Sequence, residues 1–200
     1  PDVAKAAARI WHLHWPFHDA IIAPSRYAAD WFIAKRLVRA DRVHIVPSFV
    51  RSEDILPRDR ENRAAARAVM GMDEHVFALT VIGSIDERKN QAAIVPIVAG
   101  LRARGIPAVA RLIGGKGGGY ARQVQQDIEA ADLEDAIELM GHRDDARTLL
   151  PGFDALVCTS HDEQAPVVLV EAMAARLPPV STAVGIVPDL IEPGVNGIDR

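Results

Sequence analysis

Short apolar runs alternate with longer amphipathic stretches through most of this 200-residue chain, and that alternation limits the fold more than any other feature. Strands are expected at 76–82, 109–113, 137–140, 155–158 and 179–182. Helices are expected at 91–104, 120–131, 144–150, 167–176 and 188–192, with Pro96 kinking the first or delaying its start. Strands that alternate with helices argue for an α/β fold in which helices cover both faces of a parallel sheet. Ligands bind such sheets at the carboxyl ends of the strands. Polar clusters fall at those ends: Gly83 to Asn90, Gly114 to Gly119, Gly141 to Arg143, and Ser160 to Glu163.

Ahead of this region, 20–23 is short and apolar. Ser25 then makes a good N-cap for a helix through about Ala40, and Val43 to Val46 reads as a strand ending at Pro47. From Ser48 to Arg60 the chain turns polar without a clear period, which suits a linker. Glu61 to Met70 reads as a helix closed by Gly71. Hydrophobic content of 49% is ample for a core, and a net charge of −4 gives no basic footprint for nucleic acid. The single cysteine, Cys158, follows an apolar run and reads as a buried, reduced thiol of a cytosolic protein. No apolar run approaches the roughly 20 residues of a membrane span, and residues 1–20 lack a signal-peptide pattern. With Pro1 at one end and a turn just before Arg200 at the other, both ends read as cut.

Two glutamates, Glu163 and Glu171, stand eight positions apart. The first follows an apolar run in a polar loop, and the second lies in an apolar helix. At about 1.5 Å of rise per residue their carboxylates should sit on the order of 10 Å apart. That is long for a proton-sharing pair and suits two grips on one elongated ligand. Lysine is scarce, with Lys5, Lys35, Lys89 and Lys116 only. Lys89 follows a strand and is expected to open a helix, where a cation and backbone N–H groups can meet a diphosphate. The plainer alternative is a solvated charge cluster. Gly114 to Gly119 offers an anion nest or a flexible border loop. His142 is either near a ligand's edge or an exposed loop histidine. His12, His14 and His18 with Asp19 do not make a convincing metal set, because positions i and i+2 diverge on a helix and Pro16 breaks the register.

The segment from Glu163 through Glu171 to Val180 resembles the Glu-x7-Glu motif of the retaining GT-B glycosyltransferases of family 4. Its flanks agree. Glu171-Ala172-Met173-Ala174-Ala175-Arg176-Leu177-Pro178-Pro179-Val180 is similar to Glu-Ala-Met-Ala-x-Gly-x-Pro-Val-Val, and Val184 to Ile191 is similar to Val-Gly-Gly-x-Pro-Glu-Leu-Val. Gly194-Val195-Asn196-Gly197 matches the turn that follows. The resemblance implies a Rossmann-like parallel sheet, the C-terminal half of a GT-B fold. Residues 1–50 would be the tail of an N-terminal acceptor domain, 51–60 a linker, and 61–200 a donor-binding domain truncated at its C-terminus. It further implies that Glu163 meets the donor sugar and is the catalytic candidate, and that Glu171 binds ribose. Amides near Pro166, Val167 and Val168 would hold phosphate. The Gly83 turn with Lys89, and Arg88 in support, would bind diphosphate, and Gly141 and His142 would border the base.

The donor would be a nucleoside-diphosphate sugar, a substrate rather than a cofactor, with no metal needed if Lys89 and helix dipoles neutralise the leaving group. The acceptor would be a glycan or a lipid-linked sugar. Localisation would be cytoplasmic, with peripheral association of the parent at the membrane's inner face. The missing N-terminal domain would be a partner in the site, so the fragment alone should catalyse little. Several positions depart from the family pattern. Ser84 replaces an arginine, Gln164-Ala165 replaces Gly-Phe, and Arg176 and Ile186 replace glycines. Asp189 replaces a glutamate, and Ser48-Phe49-Val50-Arg51 replaces Asn-Gly-Val-Asp. Two other readings stand beside transfer: a GT-B nucleotide-sugar epimerase, and a non-catalytic nucleotide-sugar binding module.

Overall fold

A computed structural model describes residues 19–115 and 118–199. Six parallel strands form the main sheet: β3 (Phe77–Ile82), β4 (Ala108–Ile113), β5 (Ile137–Gly141), β6 (Ala155–Cys158), β7 (Pro179–Ser181) and β8 (Ile198–Asp199), in the spatial order β5-β4-β3-β6-β7-β8. A separate parallel pair joins β1 (Ile21–Ala23) to β2 (Val43–Ile45). The helices are α1 (Arg26–Ala34), α2 (Arg60–Val69), α3 (Ile94–Arg102), α4 (Gly118–Ala130), α5 (Ala146–Leu149), α6 (Val167–Ala174) and α7 (Val187–Leu190).

Apolar residues on both faces of the strands give each face a core, as a helix-covered parallel sheet requires. One core joins Leu79, Val81, Leu112 and Leu139 to Ile94 and Val98 of α3 and to Val124 and Ile128 of α4. The other joins Ala78, Ile113 and Leu156 to Ala66 of α2, Leu149 of α5, Leu169 and Ala172 of α6, and Val187 of α7. Cys158 is buried in this second core, as its apolar neighbourhood predicts.

Chain order and spatial order together place the site. From β3 the chain moves outward through β4 and β5, then returns to the other side of β3 at β6. The loops leaving β3 and β6 therefore lie at adjacent carboxyl ends, at the switch point where sheets of this kind form their ligand crevice.

Several boundaries differ from the expected ones. Helix α1 starts where predicted, with the Ser25 hydroxyl accepting from the Ala28 amide at 3.1 Å. It ends at Ala34 rather than Ala40, because Arg36 turns left-handed (φ 53°) and the Leu37 amide folds back on the Phe32 carbonyl at 3.0 Å. The turn buries Leu37 and Val38 against Ile21, which a continued helix would not do. Gln91–Ala93 is a 3-10 turn and α3 begins at Ile94, so Pro96 delays the helix rather than kinking it. Helix α5 is shorter than expected, because Leu150–Gly152 tightens into a 3-10 turn. Helix α7 starts and ends earlier than expected, at 187–190. Within the polar 48–60 stretch, Ser52–Asp54 makes a 3-10 turn and Ile55 enters the second core.

Candidate functional site

At the crevice, the loop after β3 is organised by Asp86. Its carboxylate accepts from the Ser84 hydroxyl at 2.7 Å and from the Lys89 amide at 3.0 Å. Burial alone would raise the Asp86 carboxyl, but these bonds and the charges of Arg88 and Lys89 outweigh it and hold the group below the usual carboxylate range. The buried Gln91 side chain donates to the Ser84 carbonyl at 2.7 Å and closes the loop from below. Asp86 and Gln91 escaped the sequence reading; a carboxylate three residues ahead of Lys89 was the available signal.

Lys89 does not open a helix. Asn90 adopts a left-handed conformation (φ 52°) and leads into the 3-10 turn Gln91–Ala93, with α3 proper beginning at Ile94. The Lys89 ammonium instead pairs with Glu163 Oε1. Arg88 reaches the same oxygen at 3.0 Å, and the Ser160 hydroxyl donates to it at 3.2 Å. One oxygen of this largely buried carboxylate thus gathers two cations and a hydroxyl, joining the β3 and β6 loops. Further bonds tie the loops together. The His161 amide donates to the Arg88 carbonyl at 2.8 Å, the Thr159 hydroxyl to the Lys89 carbonyl at 3.0 Å, and Arg88 to the Asp162 carbonyl at 2.9 Å.

Backbone lies close to backbone around this cluster. A Cβ on Gly114 would stand 1.8 Å from the Gly83 carbonyl oxygen, so the turns after β3 and β4 touch without room for a side chain. Gly185 (φ 55°) backs the Glu163 turn, and a Cβ there would lie 2.4 Å from the carbonyl oxygens of both Glu163 and Gln164. Lys116 and Gly117 lie outside the described residues, so the anion-nest reading of Gly114 to Gly119 does not meet the structure at its centre.

Helix α6 follows the Glu163 loop. Its N-cap residue, Pro166, makes no side-chain cap, which leaves the first-turn amides near Val167 and Val168 without that form of satisfaction. Glu171 lies about one turn along α6, largely buried, and accepts from Arg147 of α5 at 2.7 Å. Nothing in the sequence flagged Arg147, which lies 24 positions away in the short helix α5. Gly141 ends β5 with φ 79°, and its carbonyl accepts from the Gly114 amide at 2.8 Å. His142 is exposed and pairs with Asp144 at 3.0 Å, the arrangement of an ordinary loop histidine.

Beside Glu163 lies an open cavity of about 420 Å³, bordered by Pro24 and Ser48 on one side and by Arg88 and residues 162–165 on the other. A larger cavity of about 620 Å³ lies at the opposite, amino ends of the strands, between Phe77, Ala155 and Pro179. Its charged lining residues are Arg176 and Asp154, and the Asp154 oxygens are already taken by three arginines and the Ala78 amide, so size alone does not locate the site. No group of three or more metal-ligating side chains occurs among the described residues, and His12, His14 and His18 lie outside them. No helix among the described residues is long and apolar enough to cross a membrane.

Comparison with known proteins identifies the family. Residues 62–198 match the family described as Glycosyl transferases group 1. The chain belongs to the group 1 glycosyl transferases. It is 29% identical over 190 residues to a D-inositol 3-phosphate glycosyltransferase of Mycolicibacterium vanbaalenii, an alignment covering 90% of this chain and 41% of the relative. It is 32% identical over 126 residues to WcaL of Salmonella typhimurium, provisionally named a colanic acid biosynthesis glycosyltransferase, covering 58% of this chain and 30% of that one. Among solved structures, Anabaena Alr3699/HepE in complex with UDP and glucose superposes with a TM-score of 0.89 at 23% identity, over 98% of this chain and 53% of that one. The fold is therefore that of a GT-B glycosyltransferase, in its Rossmann-like part. The chain spans less than half the length of these two curated relatives.

Proposed function

We propose that residues 61–200 bind a nucleoside-diphosphate sugar in the crevice between the β3 and β6 loops, and that the parent protein transfers its hexose to a glycan or lipid-linked acceptor with retention of configuration. In this reading residues 1–50 belong to the acceptor domain and 51–60 link the two. The observation that carries the proposal is the Lys89–Glu163–Arg88 cluster at the point where the strand order reverses. A carboxylate holding two cations leaves them poised for a better anion. A diphosphate offers more charge and more acceptor oxygens than one shared carboxylate oxygen, so Lys89 and Arg88 turn toward it. Glu163 is then released to accept from sugar hydroxyls in the adjoining cavity. As the bond from the sugar to the phosphate breaks, negative charge grows on the diphosphate, and Lys89 stabilises that charge where it develops.

Glu171, held by Arg147, accepts from the ribose hydroxyls, and the first-turn amides of α6 face the phosphates between the two glutamates. The base lies along the Gly141-His142 loop. Arg88 stands in for the arginine that Ser84 replaces. The complex of the structural neighbour with UDP and glucose favours a uridine donor, and no metal is required. A polyhydroxylated acceptor is in keeping with the inositol phosphate named for one relative.

Calorimetric titration with UDP, GDP and ADP tests the core of this proposal. One of the three binds the wild-type protein, and Lys89→Ala weakens it by roughly tenfold or more, the equivalent of a lost charge-assisted hydrogen bond of about 1.5–3 kcal/mol. The corresponding nucleoside, lacking phosphate, loses little. Equal losses for nucleotide and nucleoside would remove Lys89 from the phosphate site.

A further inference from the structure

A second, smaller crevice of about 160 Å³ opens between α1 and the loop that carries Glu163. Tyr27, Trp31 and Phe32 line one side, and Asp162 and Gln164 line the other. Tyr27 and Trp31 lie one helical turn apart and so share a face of α1. Both keep a large exposed fraction, 48% and 40%, although each is big enough to have joined a core. Phe32 meets the Trp31 ring edge-on, with centroids 5.1 Å apart and planes at 88°, which braces the indole. Asp162 and Gln164 immediately flank Glu163 and also border the 420 Å³ cavity beside it, so the two spaces adjoin.

We propose that this crevice is a subsite for one sugar ring, that of the acceptor. A pyranose has an apolar C–H face and a rim of hydroxyls. Aromatic side chains take the C–H face through dispersion and the negative charge of their π surface. A carboxylate accepts from the rim hydroxyls, and an amide both donates to them and accepts from them. The crevice supplies both halves of that recognition on opposite walls. Its volume is below the ~300 Å³ at which pockets for drug-sized ligands begin, so it suits one ring and not a longer chain. An alkyl tail fits the aromatic wall but would bury the Asp162 carboxylate without a partner. The assignment to the acceptor rests on Glu163 marking the donor sugar: a ring held by the residues on either side of Glu163 is next to that sugar and distinct from it.

The test uses the full-length protein, with α-methyl glucoside, galactoside and mannoside and free myo-inositol as probes. Saturation-transfer NMR reads ring-proton contact, and UDP binding is measured in parallel by calorimetry. At least one probe should receive saturation. Trp31→Ala and Tyr27→Ala should each weaken it fivefold or more, Trp31→Phe should retain most of it, and UDP affinity should be unchanged. No contact from any probe, or contact undiminished in both alanine variants, overturns the proposal. So does displacement of the probe by 1-hexanol at equal concentration, which would mark the crevice as a tail site. Trp31-dependent probe binding in a protein that binds no nucleotide would keep the sugar subsite while removing the donor reading on which the word acceptor depends.

Discussion

Strand β6 has a carboxylate near each end, and the two are treated in opposite ways. Asp154 immediately precedes the strand. It pairs with Arg58, and it accepts from Arg63 at 3.1 Å, from Arg67 at 2.7 Å and from the Ala78 amide at 2.8 Å, so both oxygens are saturated. Arg67 also donates to the carbonyls of Gly152, Asp73 and Val76, which leaves its guanidinium locked and its pKa lowered, chiefly by burial. Glu163 follows the strand by five residues and is bound mainly through one oxygen, and both it and one of its partners, Arg88, border an open cavity. The first carboxylate joins α2 to the sheet and has no ligand to exchange for. The second has partners that a ligand can take over. In this sheet the amino ends hold the fold together and the carboxyl ends are left adjustable, so the number of cations around an acid does not by itself mark a site.

The largest effect should come from disturbing the saturated end. Asp154→Asn leaves Arg58, Arg63 and Arg67 facing a neutral amide, and should cost about 3–5 kcal/mol, as expected when one partner of a buried ion pair is removed. Urea denaturation reads this as a lower midpoint. The same carboxylate sets an acid dependence. Burial would raise its pKa, but the Ala78 amide and the charges of Arg63 and Arg67 win and hold it below the usual value. A depressed folded pKa stabilises the protein above the unfolded value, and that stabilisation is lost as pH falls through the folded one. Wild-type stability should therefore drop on acidification below about pH 4 more steeply than that of Asp154→Asn. Parallel pH curves for the two proteins would show that the network carries no linkage.

At the adjustable end, Glu163→Gln should lower the denaturation midpoint less than Asp154→Asn does, because Glu163 is engaged mainly through one oxygen and an amide oxygen can still accept from Lys89, Arg88 and Ser160. Transfer by the full-length parent should fall by about tenfold or more, because contacts that strengthen as the sugar bond breaks are lost. Free nucleotide should bind as well as before or better, since Lys89 no longer has to leave a carboxylate. If nucleotide binding falls as far as transfer does, the contrast between the two ends is wrong at its functional half.

The smallest effect concerns a departure from the family pattern that the structure explains. Arg176 stands just past α6 with φ 60°, the left-handed position where a glycine is expected. Arg176→Gly should raise stability by about 0.5–1 kcal/mol through relief of that strain, less the entropy glycine loses on folding. A lower thermal midpoint would mean that the arginine's own contacts outweigh the strain.

Most of the sheet was legible in the sequence, because parallel strands buried on both faces appear as continuous apolar runs, as at Ala155–Cys158. Strand β8 was not, since two residues in a turn-rich stretch, Ile198–Asp199, pair with β7 only through tertiary context. The end of α1 was missed because no glycine or proline announces the left-handed turn at Arg36. In the candidate site, spacing and flanks singled out Glu163, Glu171 and Lys89. Their pairings with Arg88, Arg147 and one another join residues 24 to 75 positions apart, and no local pattern encodes such contacts. The Asp154 network left a faint trace in the spacing of Arg58, Arg63 and Arg67, which brings them to one side of α2 and its approach.

The contacts of Gly114 and Gly185 bear on redesign. Because their missing side chains are filled by the carbonyl groups of Gly83, Glu163 and Gln164, the floor of the crevice is main chain pressed on main chain, and no substitution there can retune it without prising loops apart. If the crevice takes the donor proposed above, variation that alters which donor is accepted is confined to the walls. A mutant library aimed at a new sugar should fix positions 114 and 185 and diversify 48, 88, 164 and 165, where side chains border open space.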